Sequence, residues 1–327
     1  MRPPEFWEKG GRRAHTIEAL LAPASALYAW AGARRLRTGK PERIATPVIC
    51  VGNVTLGGVG KTPIVRALAG RLRGQGVEAH ALSRGYGGTL KGPLRVDPAR
   101  HTAREVGDEP LLHAQDGPAW IAHDRAAGAR AAAAAGAQAI LTDDGFQSPD
   151  IAKDLSILAF DAAAGLGNGR VFPSGPLREP VQNALARSDL AILVGDGDAP
   201  YLSGFAGPVL RARLQPRAAA PAGPLIAFAG IGRPEKFFDT LTAMGAEISE
   251  ALPFADHHAF TTADLALLDR YAAERQARLI TTEKDFVRLP PSWRAHVASL
   301  PIEAVFTDDA PLDAALAALL ARACEAQ

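Results

Sequence analysis

Cysteine is scarce in this chain of 327 residues, occurring only as Cys50 and Cys324. The two show no metal-type spacing, and Cys50 lies in an apolar stretch, so it reads as a structural thiol in a reducing compartment rather than half of a disulfide. An excess of one charge is also missing. With a net charge of +1, no global field draws in nucleic acid, and any basic surface has to be local. The uncharged run from Ala19 to Ala33 holds 15 residues, short of the roughly 20 that cross a bilayer. Repeats at solenoid period and long low-complexity tracts are absent, which excludes those architectures. What remains is an ordinary globular composition, 47% hydrophobic and 22% charged, with a length suited to roughly two domains.

The informative stretch is the apolar Val48-Ile49-Cys50-Val51 running into Gly52-Asn53-Val54-Thr55-Leu56-Gly57-Gly58-Val59-Gly60-Lys61-Thr62-Pro63, with a helical pattern from Ile64. A strand, a glycine-rich loop and Gly-Lys-Thr at a helix start are the layout of a phosphate-binding loop. Backbone N–H groups from Thr55 to Thr62 curl around the anion, Lys61 reaches the outer phosphates, and the Thr62 hydroxyl is placed for magnesium. The usual motif has glycine where this chain has Thr55, while Gly57 and Gly58 sit inside the loop. A guanine-reading switch would also need Asn-Lys-x-Asp after a strand; the nearest stretch, Thr281 to Asp285, has the wrong order. A soluble small-molecule kinase stays open, although an apolar N-terminal helix would serve it nothing.

Apolar runs alternate with helical patterns from residue 46 to about 195, each run ending in a Gly- or Asp-rich turn. This predicts an α/β fold, a mainly parallel sheet of the P-loop NTPase kind with helices on both faces and ligands beyond the strand C-termini. Residues 196–224, rich in Gly, Pro and Ala, read as a linker carrying an edge strand, Val209 to Leu214. A second α/β unit follows. The expected domains are therefore 1–45, an N-terminal helix region; 46–215, a kinase core; and 216–327, a smaller α/β domain. Gly230-Ile231-Gly232 alone is a weak nucleotide signal.

Phosphoryl transfer needs a carboxylate near the metal and a group that handles the acceptor hydroxyl. Asp143-Asp144 closes an apolar strand, as such a carboxylate does; Asp161 closes another and is the rival. Glu179 is a further candidate ligand, following a long loop, Gly165 to Gly175, that looks free to fold over nucleotide. On the acceptor side stand Gly107-Asp108-Glu109-Pro110 and Asp256-His257-His258, since a carboxylate bonded to an imidazole can take the hydroxyl proton. The paired histidines also suit a metal, but no third ligand has fitting spacing.

In the first 45 residues, Arg12-Arg13 and Arg34-Arg35-Leu36-Arg37 bracket Ile17, Leu20, Leu21, Ala24, Leu27, Tyr28 and Ala31 at helical spacing, with Trp30 nearby. That pattern suits a helix lying in a membrane interface. A signal peptide and a helix simply packed on the domain are the alternatives, and Pro23 weakens a straight helix.

The glycine-rich stretch resembles the signature of the tetraacyldisaccharide 4′-kinases, the lipid A 4′-kinase family. So do Ser83-Arg84-Gly85-Tyr86-Gly87, Gly107-Asp108-Glu109-Pro110, Asp143-Asp144-Gly145-Phe146-Gln147, Gly175-Pro176-Leu177-Arg178-Glu179-Pro180, Asp256-His257-His258 and Thr282-Glu283-Lys284-Asp285. The resemblance spans nearly the whole chain, and Thr55 and the N-terminal apolar helix belong to it. It implies transfer of the γ-phosphate of ATP to the 4′-hydroxyl of a tetraacylated glucosamine disaccharide 1-phosphate, giving lipid IVA. It also implies a peripheral place on the cytoplasmic face of a Gram-negative inner membrane, with no nucleic-acid partner. By motif, Asp108 is implied as base with His257 as partner. Lys61 and Thr62 grip phosphates and magnesium, and Asp143, Asp144 and Glu179 serve the metal region. Ser148-Pro149 departs from the family, where a His is common.

Overall fold

The computed structural model describes residues 4–8 and 10–325. The side chain of Cys324 lies outside the described residues. Strand β1 (Val48–Gly52) leads into helix α2 (Lys61–Gly74), which follows the N-terminal α1 (Arg12–Thr38). The chain continues through β2 (Ala79–Ser83), β3 (Leu94–Arg95), α3 (Ala103–Val106), α4 (Asp108–Asp116), β4 (Ala119–Ile121), α5 (Arg125–Ala134), β5 (Ala139–Asp143) and β6 (Leu155–Asp161). Next come α6 (Val181–Leu185), β7 (Leu190–Val194), β8 (Val209–Pro216), β9 (Leu225–Ala229), α7 (Pro234–Ala243), β10 (Ile248–Pro253), α8 (Thr262–Arg275) and β11 (Arg278–Thr282). Short helices α9 (Glu283–Phe286) and α10 (Pro291–Arg294), strands β12 (Val297–Leu300) and β13 (Ile302–Phe306), and α11 (Ala310–Glu325) complete it.

Nine strands form one sheet in the order β13-β8-β7-β6-β1-β5-β2-β4-β3. It is parallel except at its two ends, where β13 pairs with β8 and β3 with β4 antiparallel. A second sheet, β10-β9-β11-β12, is parallel throughout. Strand β1 has every residue buried. Ile49 and Val51 face the cluster holding Ile64, Val65, Leu68 and Leu72 of α2, whereas Cys50 and Val48 face the opposite side. Period-two alternation between two covered faces is why the strand reads as an unbroken apolar run. In the second sheet, Phe237 and Leu241 of α7 cover one face and Leu265 and Leu268 of α8 the other.

Beyond the expected boundary at residue 216 the chain visits both sheets. The second sheet takes residues 225–300, and the chain then returns to the first sheet. There β13 pairs along β8, and α11 buries Leu312, Leu316 and Leu319 in the cluster that contains α2. Strand β8 is thus not an edge: β13 takes up the backbone groups an edge would leave open. Helix α1 runs unbroken through Pro23, and among the described residues no helix is long and apolar enough to cross a membrane.

Candidate active site

The loop after β1 is shaped by close packing and by one buried amide. A Cβ on Gly52 would stand 2.3 Å from the Cβ of Phe146, so only glycine fits there. Gly57 and Gly60 have φ of 131° and 86°, the region open to glycine. Asn53, fully buried, donates to the carbonyl of Thr55 at 2.7 Å and to the Thr55 hydroxyl at 3.2 Å, while its own oxygen accepts from Lys61 Nζ at 3.0 Å. Among the described residues, no N–H of Gly57 through Thr62 donates a backbone hydrogen bond. Those N–H groups, with the start of α2 and Lys61 beside them, are left available to an anion. Leu56 differs from the rest of the expected contacts: its N–H is taken by the Pro176 carbonyl at 2.7 Å.

Beside this loop, the end of β5 carries the carboxylate pair. Asp143 Oδ2 accepts from the Thr62 hydroxyl at 3.0 Å and lies 3.0 Å from His113 Nε2, while its Oδ1 is buried with no partner. Burial pushes the Asp143 carboxyl up, but the His113 hydrogen bond, the His113 charge and Lys61 outweigh it and bring it below the ordinary value. Asp144 takes a left-handed φ of 58°, unusual for a residue with a side chain. Its Oδ1 accepts from Arg178 at 2.7 Å and lies 3.7 Å from Lys61 Nζ. Desolvation opposes its ionisation, but Lys61 and Arg178 prevail and lower its pKa. Glu179, also buried, is held by Gln147 Nε2 at 3.2 Å and by Arg187. Thr62 and Asp143 are thus in contact and Asp144 lies beside Lys61, whereas Glu179 is joined to them only through Gln147 and Arg178.

The rival carboxylate Asp161 is otherwise engaged. Arg233 and Lys236, from the start of α7, both donate to its Oδ2, the lysine at 2.8 Å. Its Oδ1 accepts the N–H groups of Ala163 and Ala164, each at 3.0 Å. Arg233 also reaches the Gly58 carbonyl at 3.2 Å, so the loop after β9 touches the phosphate loop. The loop Gly165–Gly175, expected to be free, is fastened instead. Asn168 donates to Glu18 Oε1 of α1 at 2.9 Å and to the Ser174 carbonyl at 2.8 Å.

Asp108, expected on the acceptor side, opens α4 and is 5% exposed. Its Oδ2 meets Arg288 and lies 3.4 Å from His257 Nδ1. Arg288 Nη2 also lies 3.1 Å from that nitrogen, and its Nη1 donates to Asp285 at 2.9 Å and to the Gly230 carbonyl at 2.8 Å. His257 sits in a left-handed φ of 56°, and its N–H donates to Gly230 at 3.0 Å. Desolvation raises the Asp108 carboxyl, but the His257 hydrogen bond and the charges of Lys284 and Arg288 pull it far below the usual carboxylate range. His258 turns away to Asp264 at 2.9 Å, so the histidine pair does not converge. No group of three His, Cys, Asp or Glu suited to a metal occurs among the described residues.

A family model described as tetraacyldisaccharide-1-P 4′-kinase, LpxK, matches residues 17–321. The chain belongs to that family. A tetraacyldisaccharide 4′-kinase of Rhodospirillum centenum is 55% identical over 98% of this chain and 97% of its own, and one of Hyphomonas neptunium is 51% identical over 99% of both. The crystal structure of LpxK from Aquifex aeolicus in complex with ATP superposes with a TM-score of 0.75 at 26% identity, covering 93% of this chain and 99% of that one.

In this LpxK-family chain two site residues escaped sequence reasoning. His113 lies mid-helix among apolar residues and reads as a core histidine, yet it bonds Asp143 at the end of β5. Arg288 follows Thr282-Glu283-Lys284-Asp285 by three positions. Only its i, i+3 spacing from Asp285, which makes the pair neighbours on one face, hinted at a shared role.

Proposed function

We propose that the chain transfers the γ-phosphoryl group of ATP to the 4′-hydroxyl of a tetraacylated glucosamine disaccharide 1-phosphate at a membrane surface. One observation carries the geometry: α4 bears both Asp108 and His113. The acceptor-side carboxylate and the brace of the phosphate-side carboxylate therefore belong to one rigid element, with Cα positions about 7.5 Å apart along its axis.

In this reading the loop N–H groups and Lys61 hold the β- and γ-phosphates and balance their charge. Asp108, ionised, accepts the proton as the hydroxyl oxygen bonds to the γ-phosphorus and the β–γ bridging P–O bond breaks, releasing ADP. His257 is placed to share that proton with Asp108. Magnesium fits the residues at the end of β5: Thr62 offers a hydroxyl, and Asp143 a buried carboxylate oxygen that lacks any partner. When bound there, the ion would neutralise charge on the transferring phosphates. Asp144 and Glu179 support that corner by holding Lys61, Arg178, Gln147 and Arg187.

The membrane part of the reading rests on α1. Leu20, Leu27 and Trp30 are exposed on it, and Arg12, Arg13, Arg34 and Arg35 flank them. This arrangement suits reversible attachment to an anionic leaflet, here the cytoplasmic face of the inner membrane. A cavity of ≈ 280 Å³, bordered by Tyr28, Ala31, Arg35, Gln147, Arg178 and Glu179, opens between α1 and the site loops. Incubation with γ-labelled ATP in detergent, with and without the glycolipid, tests the proposal. Label is expected in a chloroform-soluble product, and hydrolysis indifferent to the acceptor would overturn it.

A further inference from the structure

Helix α1 turns a polar side inward. Its buried positions are Ala14, Glu18 and Ser25, whereas a helix docked by an apolar stripe would bury Leu20 and Leu27. The buried side is clasped by the loop that precedes Arg178 and Glu179. Glu18, 3% exposed, accepts from Asn168 Nδ2 at 2.9 Å and from Arg170 Nε at 3.0 Å. Ser25 Oγ accepts the Ser174 N–H at 2.9 Å, and the Ser174 hydroxyl donates to the Glu18 carbonyl at 3.1 Å.

The same loop then runs beside the phosphate loop. Leu56 donates to Pro176 and Arg178 donates to Val54, both at 2.7 Å, with Thr55 opposite Leu177 in an antiparallel bridge. The first half of the phosphate loop, where the chain carries Thr55 instead of glycine, is thus paired to a segment that α1 holds down.

We propose that Glu18 is a positioning residue for the nucleotide site, acting through Asn168, Ser174 and the Pro176–Arg178 segment on the backbone of Val54 to Leu56. The polar side of α1 then sets the shape of the phosphate loop, independently of what its apolar side does at a membrane. The proposal rests on the loop binding ATP and on nothing about the acceptor.

The test uses full-length parent, Glu18→Ala and Glu18→Gln in detergent without glycolipid. ATP with magnesium is titrated by calorimetry, and binding to phosphatidylethanolamine–phosphatidylglycerol vesicles is followed by sedimentation. Glu18→Ala is expected to weaken ATP binding about 2- to 30-fold, the span for coupling through a packed network. Glu18→Gln keeps an acceptor for Asn168 and loses only the charge pairing to the half-exposed Arg170 and the exposed His15, so it should stay within about twofold of the parent. Vesicle binding should be unchanged in both. Parental ATP affinity in Glu18→Ala overturns the proposal, as does equal loss in both variants or a loss matched by vesicle release. If Glu18→Ala does not fold, Ser25→Ala, which strips the acceptor from the Ser174 N–H, is read by the same criteria. Because no acceptor is present, a failure to phosphorylate glycolipid leaves this readout intact.

Discussion

Asp108 is held between an imidazole and two cations. Arg288, Lys284 and His257 face it from the smaller domain, against Asp285 there and Glu109 on its own helix. Its carboxyl, held below the unfolded value of about 3.9, stays ionised across the neutral range. That pairing contributes stability fully above the unfolded pKa and loses it as pH falls through the folded one. As the proposed base, a carboxylate so depressed would be ready but weak, and His257 with the cations Lys284 and Arg288 is the reason. Asp108→Asn is expected to lower kcat by about 10²- to 10⁴-fold, the range for a lost general base, while calorimetry still detects ATP binding. Near-parental turnover would remove Asp108 from the chemistry. Arg288→Gln takes one cation from the carboxylate, so the Asp108 pKa should rise. The acid limb of the kcat/KM profile should then move to higher pH, and an unmoved limb would separate Arg288 from the base.

At the scale of elements, α1 has two faces that differ in burial, and the duties proposed for them are separable by substitution. Leu20 is 76% and Leu27 64% exposed, so neither stabilises the fold much. Each, buried in lipid, is worth about 1.5 kcal/mol or more, roughly tenfold in affinity. Leu20→Glu with Leu27→Glu should therefore lower vesicle sedimentation by two orders of magnitude or so, with the thermal midpoint unchanged. Undiminished sedimentation would reject α1 as the attachment surface. The apolar face of α1 was legible because its residues recur at helical spacing between arginines. Glu18 and Ser25 were not, since single polar residues on a helix carry no sign of being buried by a loop some 150 positions away. The same contrast divides the strands. β1, β5, β6 and β7, covered on both faces, read as continuous apolar runs. β10 alternates half-buried with exposed residues, and β12 and β13 are short and split by Pro301, so none of the three stood out. The phosphate loop was legible for a local reason, as its glycines, Lys61 and Thr62 act within one strand–loop–helix unit. Asp108 and His257 came together only through the tertiary fold.

Across the molecule, the two sheets are fastened by charge as much as by chain. Arg66 of α2 reaches Asp116 of α4 and, with one nitrogen at 3.0 Å from each oxygen, Glu283 of α9. Glu283 also accepts the N–H of Ile302, where the chain crosses back to the large sheet. Lys284 donates to Glu109 at 2.9 Å, next in sequence to Asp108, and the pull of Glu109 and Asp108 raises its pKa against the opposing effect of burial. Thr282-Glu283-Lys284-Asp285 is therefore a fastening between the two sheets, and Arg288 next to it meets Asp108. The Arg66 side chain is 8% exposed, Glu283 15% and Asp116 27%. Removing one partner of a buried pair costs about 3–5 kcal/mol, and the partial access of Asp116 to water reduces that toward about 2–4 kcal/mol. Arg66→Ala should lower the denaturant midpoint accordingly. Because Arg66 touches neither Asp108 nor the phosphate loop, ATP affinity should change far less than activity: loosening the fastening lets His257 and Arg288 drift from Asp108 while Lys61 stays in place. Equal loss of ATP binding and turnover would mean that the fastening serves the phosphate loop instead.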